Sequence, residues 1–82
     1  MTRTEILNVI NKIIENEHGK QLTEEQLLID CGIDSFGYAI FWCELESVYE
    51  VELAKNVMKQ DYNELTVAKV IDMVVEAKNV SK

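Results

Sequence analysis

The sequence predicts an all-α fold: one domain over residues 1–82, a bundle of three long helices plus one short helix, with a long loop between helices 1 and 2. Three observations carry this. Apolar residues recur three and four apart in separate stretches, the pattern of helices with one buried face. There is no proline and only three glycines, at 19, 32 and 37, so breakers are too few for a series of hairpins. The hydrophobic fraction of 48% suffices for a core and is too high for a disordered chain. A domain this small buries roughly 60–65% of its unfolded surface, which leaves about 3–5 kcal/mol of stability from its core.

The first helix is expected from Thr2 or Arg3 to Glu17. Ile6, Leu7, Ile10, Ile13 and Ile14 form its apolar face. Thr2 followed by Glu5 fits a capping box, and Gly19 stands where a helix stop is expected. A loop follows to Ile33, long enough that it must pack or carry function, with Leu22, Leu27, Leu28, Ile29 and Ile33 as anchors. Within it, Thr23 to Gln26 reads as a capped single turn.

The second long helix is expected from Ser35 to Tyr49 or Glu50. Phe36, Ala39, Ile40, Cys43, Leu45 and Val48 populate a broad apolar arc, which Phe41 and Trp42 widen. Core packing is the expected role of Phe36 and Phe41. Gly37 costs about 1 kcal/mol in a helix relative to alanine, so it reads either as tolerance near an end or as a point of close approach. A second connection begins at Val51, and residues Gln60 to Leu65 are expected to form a short third helix. Thr66 should cap the last helix, whose buried face is Val67, Val70, Ile71, Val74 and Val75 and which should fray after Lys78. Its valines weaken the helical reading, but their spacing is helical and not alternating.

The net charge is −7 and unevenly placed. From Gln21 to Ala54 there are eight acidic residues and no lysine or arginine, while the remainder is nearly balanced. Nucleic acid is disfavoured as a partner, because phosphate would be repelled. A basic protein surface is favoured. Phe36, Tyr38, Phe41 and Trp42 could stack on bases, but the acidic surroundings oppose it. Cys31 and Cys43 lack metal-ligand spacing and read as free, small apolar residues, buried or half-buried. The longest apolar run, Tyr38 to Cys43, is too short for a membrane span, and the N-terminus lacks the apolar core of a signal peptide. The expectation is a cytoplasmic monomer that does not insert into membranes.

Catalysis finds little support. His18 is the sole histidine and stands near a helix end, so no base and orienting acid accompany Ser35 as a nucleophile. Asp30 and Asp34 do not extend into a calcium loop, and zinc lacks ligands. The stretch Cys31-Gly32-Ile33-Asp34-Ser35-Phe36 is more informative. Gly32 suits a tight turn, and Asp34 or Ser35 can cap the following helix.

This stretch, heading a helix, resembles the Asp-Ser-Leu motif of acyl carrier proteins. Size, acidity, helix order and the long preceding loop agree over essentially the whole chain. Leu45 to Leu53, Leu-Glu-Ser-Val-Tyr-Glu-Val-Glu-Leu, looks like the family's Leu-Glu-x-x-Phe-x-Ile-x-Ile segment, with Tyr49 at the phenylalanine position. The resemblance implies an acyl-carrier-protein-like bundle and a non-catalytic carrier. Ser35 would bear 4′-phosphopantetheine, Asp34 would support the motif, and a separate phosphopantetheinyl transferase would install the arm from coenzyme A. The arm would hold acyl groups as thioesters and present them to acyl-transfer, synthase or ligase enzymes of fatty-acid, polyketide or related lipid biosynthesis. An aminoacyl, peptidyl or D-alanyl carrier is the alternative within the class; an unmodified helical interaction module is the alternative outside it.

The chain departs from the family pattern in two places. Phe36 replaces the usual leucine. Carriers serving fatty-acid synthesis carry acids two and five positions beyond the serine, where this chain has Gly37 and Ile40. The next acid is Glu44. The expected docking face is therefore Gly37, Tyr38, Ile40, Trp42 and Glu44, fitted to partners with basic or apolar surfaces and to a dedicated pathway. The competing reading is that Tyr38, Ile40 and Trp42 pack on the loop.

Overall fold

The computed structural model describes residues 2–58 and 61–80. Their regular secondary structure is helical, joined by loops, and the described residues form no strand. Helix α1 spans Arg3–Asn16, α2 Ser35–Tyr49, α3 Ala54–Met58 and α4 Val67–Val80. Single 3₁₀ turns at Leu28–Cys31 and Tyr62–Glu64 punctuate the connections. None of the described helices is long and apolar enough to cross a membrane.

Helix α1 starts as its sequence dictates, with Thr2 Oγ1 accepting the Glu5 N–H at 3.1 Å. Its stop differs from the expectation. The left-handed residue is His18, at φ 64°, and not Gly19. The His18 N–H donates to Glu15 O at 2.9 Å and the Gly19 N–H to Ile14 O at 2.8 Å, the paired bonds of a Schellman motif. Helix α2 ends likewise, with Glu50 left-handed at φ 54° and the Val51 N–H donating to Glu46 O at 3.1 Å. At the last helix, Thr66 Oγ1 accepts the Lys69 N–H at 3.2 Å, and the helix runs past Lys78 to Val80.

The long first loop is tied down along its length. Asn11 exchanges two hydrogen bonds with the Leu22 backbone, each 2.9 Å. The expected turn at Thr23 forms, with Gln26 Oε1 accepting the Thr23 N–H at 2.8 Å. Leu27 pairs with Thr66 in an isolated antiparallel bridge, and the N–H groups of Leu28 and Val67 donate to Leu65 O at 2.8 Å and Gln26 O at 3.0 Å. The backbone polar groups of a loop near a core must find partners, and the start of α4 supplies them. Arg3 adds an exposed clasp, meeting Glu24 at 2.8 Å and Asp72 at 2.6 Å.

The core lies where α1, α2 and α4 face one another. Ile6, Ile10 and Ile14 of α1, Phe41 and Leu45 of α2, and Val67, Val70, Ile71 and Val74 of α4 are fully buried. Leu28, Leu53 and Leu65 plug it from the connections, and Met73 joins it unforeseen. Among the described residues no polar or charged residue is buried.

Four expectations for α2 fail. Phe36 is 75% exposed, Val48 is 55% exposed, and Ala39 and Cys43 are exposed. A helix turns about 100° per residue, so Phe36 stands roughly 140° round from Phe41. The first turns of α2 are apolar nearly all round, and Phe41 with Leu45, not Phe36, faces the core. Cys31 is buried as expected. In the second connection the helical turn is at Ala54–Met58, where Glu46 Oε2 accepts the N–H of Leu53 at 2.7 Å and of Ala54 at 3.3 Å. The stretch expected to be helical from Gln60 holds only the 3₁₀ turn at Tyr62–Glu64, and Gln60 itself lies outside the described residues.

Candidate functional site

Ser35 is the first residue of α2 and is exposed. The turn before it is built by Gly32, which is left-handed at φ 80° with nothing within 4 Å of where a Cβ would stand. Glycine is there for its backbone angle. The chain then extends through Asp34, at φ −82° and ψ 177°, the conformation of a helix N-cap. Asp34 Oδ1 accepts the Gly37 N–H at 2.7 Å, and Asp34 O accepts the Tyr38 N–H at 3.0 Å. The capping role expected of Asp34 or Ser35 falls to Asp34, leaving the Ser35 hydroxyl outside the cap.

Gly37 is buried, and here glycine serves close approach. A Cβ would lie 3.2 Å from Ile33 Cβ and 3.3 Å from Asp34 Oδ1. Ile33, 9% exposed, is gripped on its other side by Gly19, whose missing Cβ would lie 2.6 Å from Ile33 Cγ2. The Lys20 N–H donates to Cys31 O at 2.9 Å beside this contact. Two glycines on different elements thus seat the residue that precedes Asp34 and Ser35. Sequence reasoning missed the Gly19 contact, because the pairing with Ile33 exists only once α1 and α2 are packed.

The other candidate residues divide. Tyr38 is half-buried, its hydroxyl donating to Leu28 O at 3.1 Å and lying 3.4 Å from Cys31 Sγ. It packs on the loop, as the competing reading had it. Trp42 is half-buried with its ring edge-on to Phe41 at 5.0 Å, and its indole N–H is buried without an acceptor among the described residues. Ile40 is half-buried and Glu44 is exposed. The exposed apolar surface beside Ser35 consists of Phe36, Ala39 and Cys43, residues that periodicity assigned to the core.

The acidic block is similarly sorted. Glu24 is neutralised by Arg3, and Glu46 is engaged at the α3 start. Glu25, Asp30, Asp34, Glu44, Glu50 and Glu52 remain exposed, without an intervening base from residue 21 to 54. Among the described residues no group of three or more His, Cys, Asp or Glu side chains converges to hold a metal ion. The arrangement offers one exposed hydroxyl at the positive end of a fifteen-residue helix, in an acidic surface. No family model, curated protein or solved structure matches this chain.

Proposed function

We propose that the chain is a non-catalytic carrier in which Ser35 bears 4′-phosphopantetheine. The observation that carries this reading is the separation of roles at the head of α2. Asp34 takes the cap at 2.7 Å, while Ser35 is exposed on the next residue. The residues fit a phosphodiester. The first N–H groups of a helix lack intrahelical acceptors, and Asp34 occupies that of Gly37. Those before it, with the helix dipole, favour a phosphate on Ser35. The attached arm supplies a terminal thiol on which an acyl group is held as a thioester.

The chain's own residues present the hydroxyl and recruit partners. Long helices of 14, 15 and 14 residues with the short α3 support an acyl-carrier-like bundle. Asp30, Asp34 and Glu44 offer negative charge to basic partners, including the transferase that installs the arm. Phe36, with Ile40 further along α2, offers an apolar contact in place of the acids of fatty-acid carriers, and Glu44 puts negative charge beyond it. This favours a carrier dedicated to one pathway of lipid or polyketide type.

Incubation with coenzyme A and a broad-specificity phosphopantetheinyl transferase, read by intact-protein mass spectrometry, tests the proposal. A gain of one phosphopantetheine on wild type and none on Ser35→Ala is expected. No gain with several transferases would leave the unmodified interaction module as the better reading. Specialisation is tested at Ile40, since Gly37 has no room for a carboxylate. Ile40→Glu should improve malonyl loading by a general fatty-acid transferase; wild-type loading equal to that of a housekeeping carrier would end the specialised reading.

A further inference from the structure

We infer that the Tyr38 hydroxyl is a positioning group for Ser35, acting as a latch on the turn that delivers it. The inference rests on the carrier reading for its functional half and on geometry alone for its structural half. Tyr38 stands one turn into α2, on the element that Ser35 begins. Its hydroxyl donates to Leu28 O at 3.1 Å, at the start of the 3₁₀ turn Leu28–Cys31. That carbonyl can only accept, so the tyrosine proton is committed to it. The Cys31 thiol, 3.4 Å from the same oxygen, is then the donor to Tyr38 Oη. One hydroxyl therefore holds both ends of the 3₁₀ turn against α2, in a relay from thiol to phenol to carbonyl.

The position of this latch gives it consequence. Beyond Cys31 lie only Gly32, Ile33 and Asp34 before Ser35. Gly32 has a left-handed backbone and no side chain to hold it. The glycine seats on Ile33 fix the segment from below by shape, and the Asp34 cap fixes its end. Tyr38 holds the preceding turn by direction, which shape alone does not. A chain lacking the hydroxyl keeps its core, since the ring and all apolar contacts remain, but its serine-bearing turn opens more often. The fraction of molecules presenting Ser35 ready for an enzyme falls, and apparent affinity falls with it.

Tyr38→Phe tests this, with the two thiols as reporters. Cys31 is 3% exposed and Cys43 is exposed, so a thiol reagent reaches Cys43 directly and Cys31 only after opening. The variant should label Cys31 about 2- to 10-fold faster, the change that one neutral hydrogen bond makes in an opening equilibrium. Cys43 should label at the wild-type rate. The Cys31 rate should be insensitive to sub-denaturing urea, because local opening exposes little surface. For phosphopantetheine transfer from coenzyme A, the apparent KM of the transferase for the variant should rise roughly twofold or more with kcat unchanged. An unchanged Cys31 rate overturns the latch, and so does a rate that climbs with urea as global unfolding would. Faster Cys31 labelling with unaltered KM overturns the positioning of Ser35. A wild-type chain that accepts no phosphopantetheine overturns the carrier reading and the functional half with it, while labelling still decides the latch.

Discussion

Ile33 Cγ2 fills the space that a Cβ on Gly19 would need: the two atoms would be 2.6 Å apart. A second contact at the same distance, to Ile14 Cγ2, closes the site from α1. The loop that leaves α1 and the turn that enters α2 therefore touch through a glycine. Gly19→Ala should destabilise the fold by about 1–3 kcal/mol, the usual cost of forcing atoms into a packed site. In urea denaturation its midpoint falls below that of wild type. Combined with Ile33→Ala, which removes one of the two 2.6 Å contacts and leaves that to Ile14, the loss should be less than the sum of the two single losses. Strict additivity would show that the two residues do not share the site.

Glycine has the opposite relation to the helix ends. His18 and Glu50 hold left-handed backbone at φ 64° and 54°, where L side chains are strained. Each sits at the position that glycine most often fills after a helix. His18→Gly and Glu50→Gly should each stabilise by roughly 0.5 kcal/mol, the relieved strain exceeding the added freedom of the unfolded chain. Gly32→Ala should go the other way by about 1 kcal/mol, although nothing crowds its Cβ, because its φ is 80°. Thermal melts of the three variants check the signs; stabilisation by Gly32→Ala would contradict the backbone account.

Asp34 separates stability from presentation. Its carboxylate caps α2 through the Gly37 N–H at 2.7 Å. Asp34→Ala should lose about 0.5–2 kcal/mol. Asp34→Ser should recover most of that, since a hydroxyl can accept the same N–H. If serine restores stability yet transferase loading stays poor, the carboxylate is also read by the transferase. Equal recovery of both would confine Asp34 to capping.

The elements legible in the sequence are those whose signal is local. The isoleucine spacing of α1 and the Thr2, Asp34 and Thr66 caps need only a few neighbouring residues, and each stands where its chemistry puts it. Phe36 and Cys43 are misassigned because α2 is apolar nearly all round near its start, so composition cannot phase the helix. Only packing into the shared core decides that Phe41 and Leu45 face inward. The 3₁₀ turn at Leu28–Cys31 carries no distinctive local propensity, and its supports, Leu65 O and the Tyr38 hydroxyl, come from other elements. At the candidate site, the motif and its capping are written locally. The exposed apolar surface is not, because it consists of the apolar residues that the core leaves over.

Tyr49, near the end of α2, is half-buried, and its phenol gives the stability a pH dependence. Burial raises its phenol above the ordinary value of 10.0, and the negative charge of Glu5 raises it further. Both causes disfavour the phenolate in the folded chain. The folded state therefore keeps this proton to higher pH than the unfolded state does. Between the two values the folded state binds more protons, so stability falls as pH rises. The contribution is fully present below about pH 10 and is lost above it, as the unfolded chain ionises first. Urea midpoints across this range should fall more steeply for wild type than for Tyr49→Phe. Glu5→Gln should reduce the steepness only in part, because burial is the larger cause. Tyrosinate absorbance, taken as the difference from Tyr49→Phe, should place the Tyr49 midpoint above that of a free tyrosine. Parallel pH profiles for wild type and Tyr49→Phe would show that the phenol is not shielded in the folded chain.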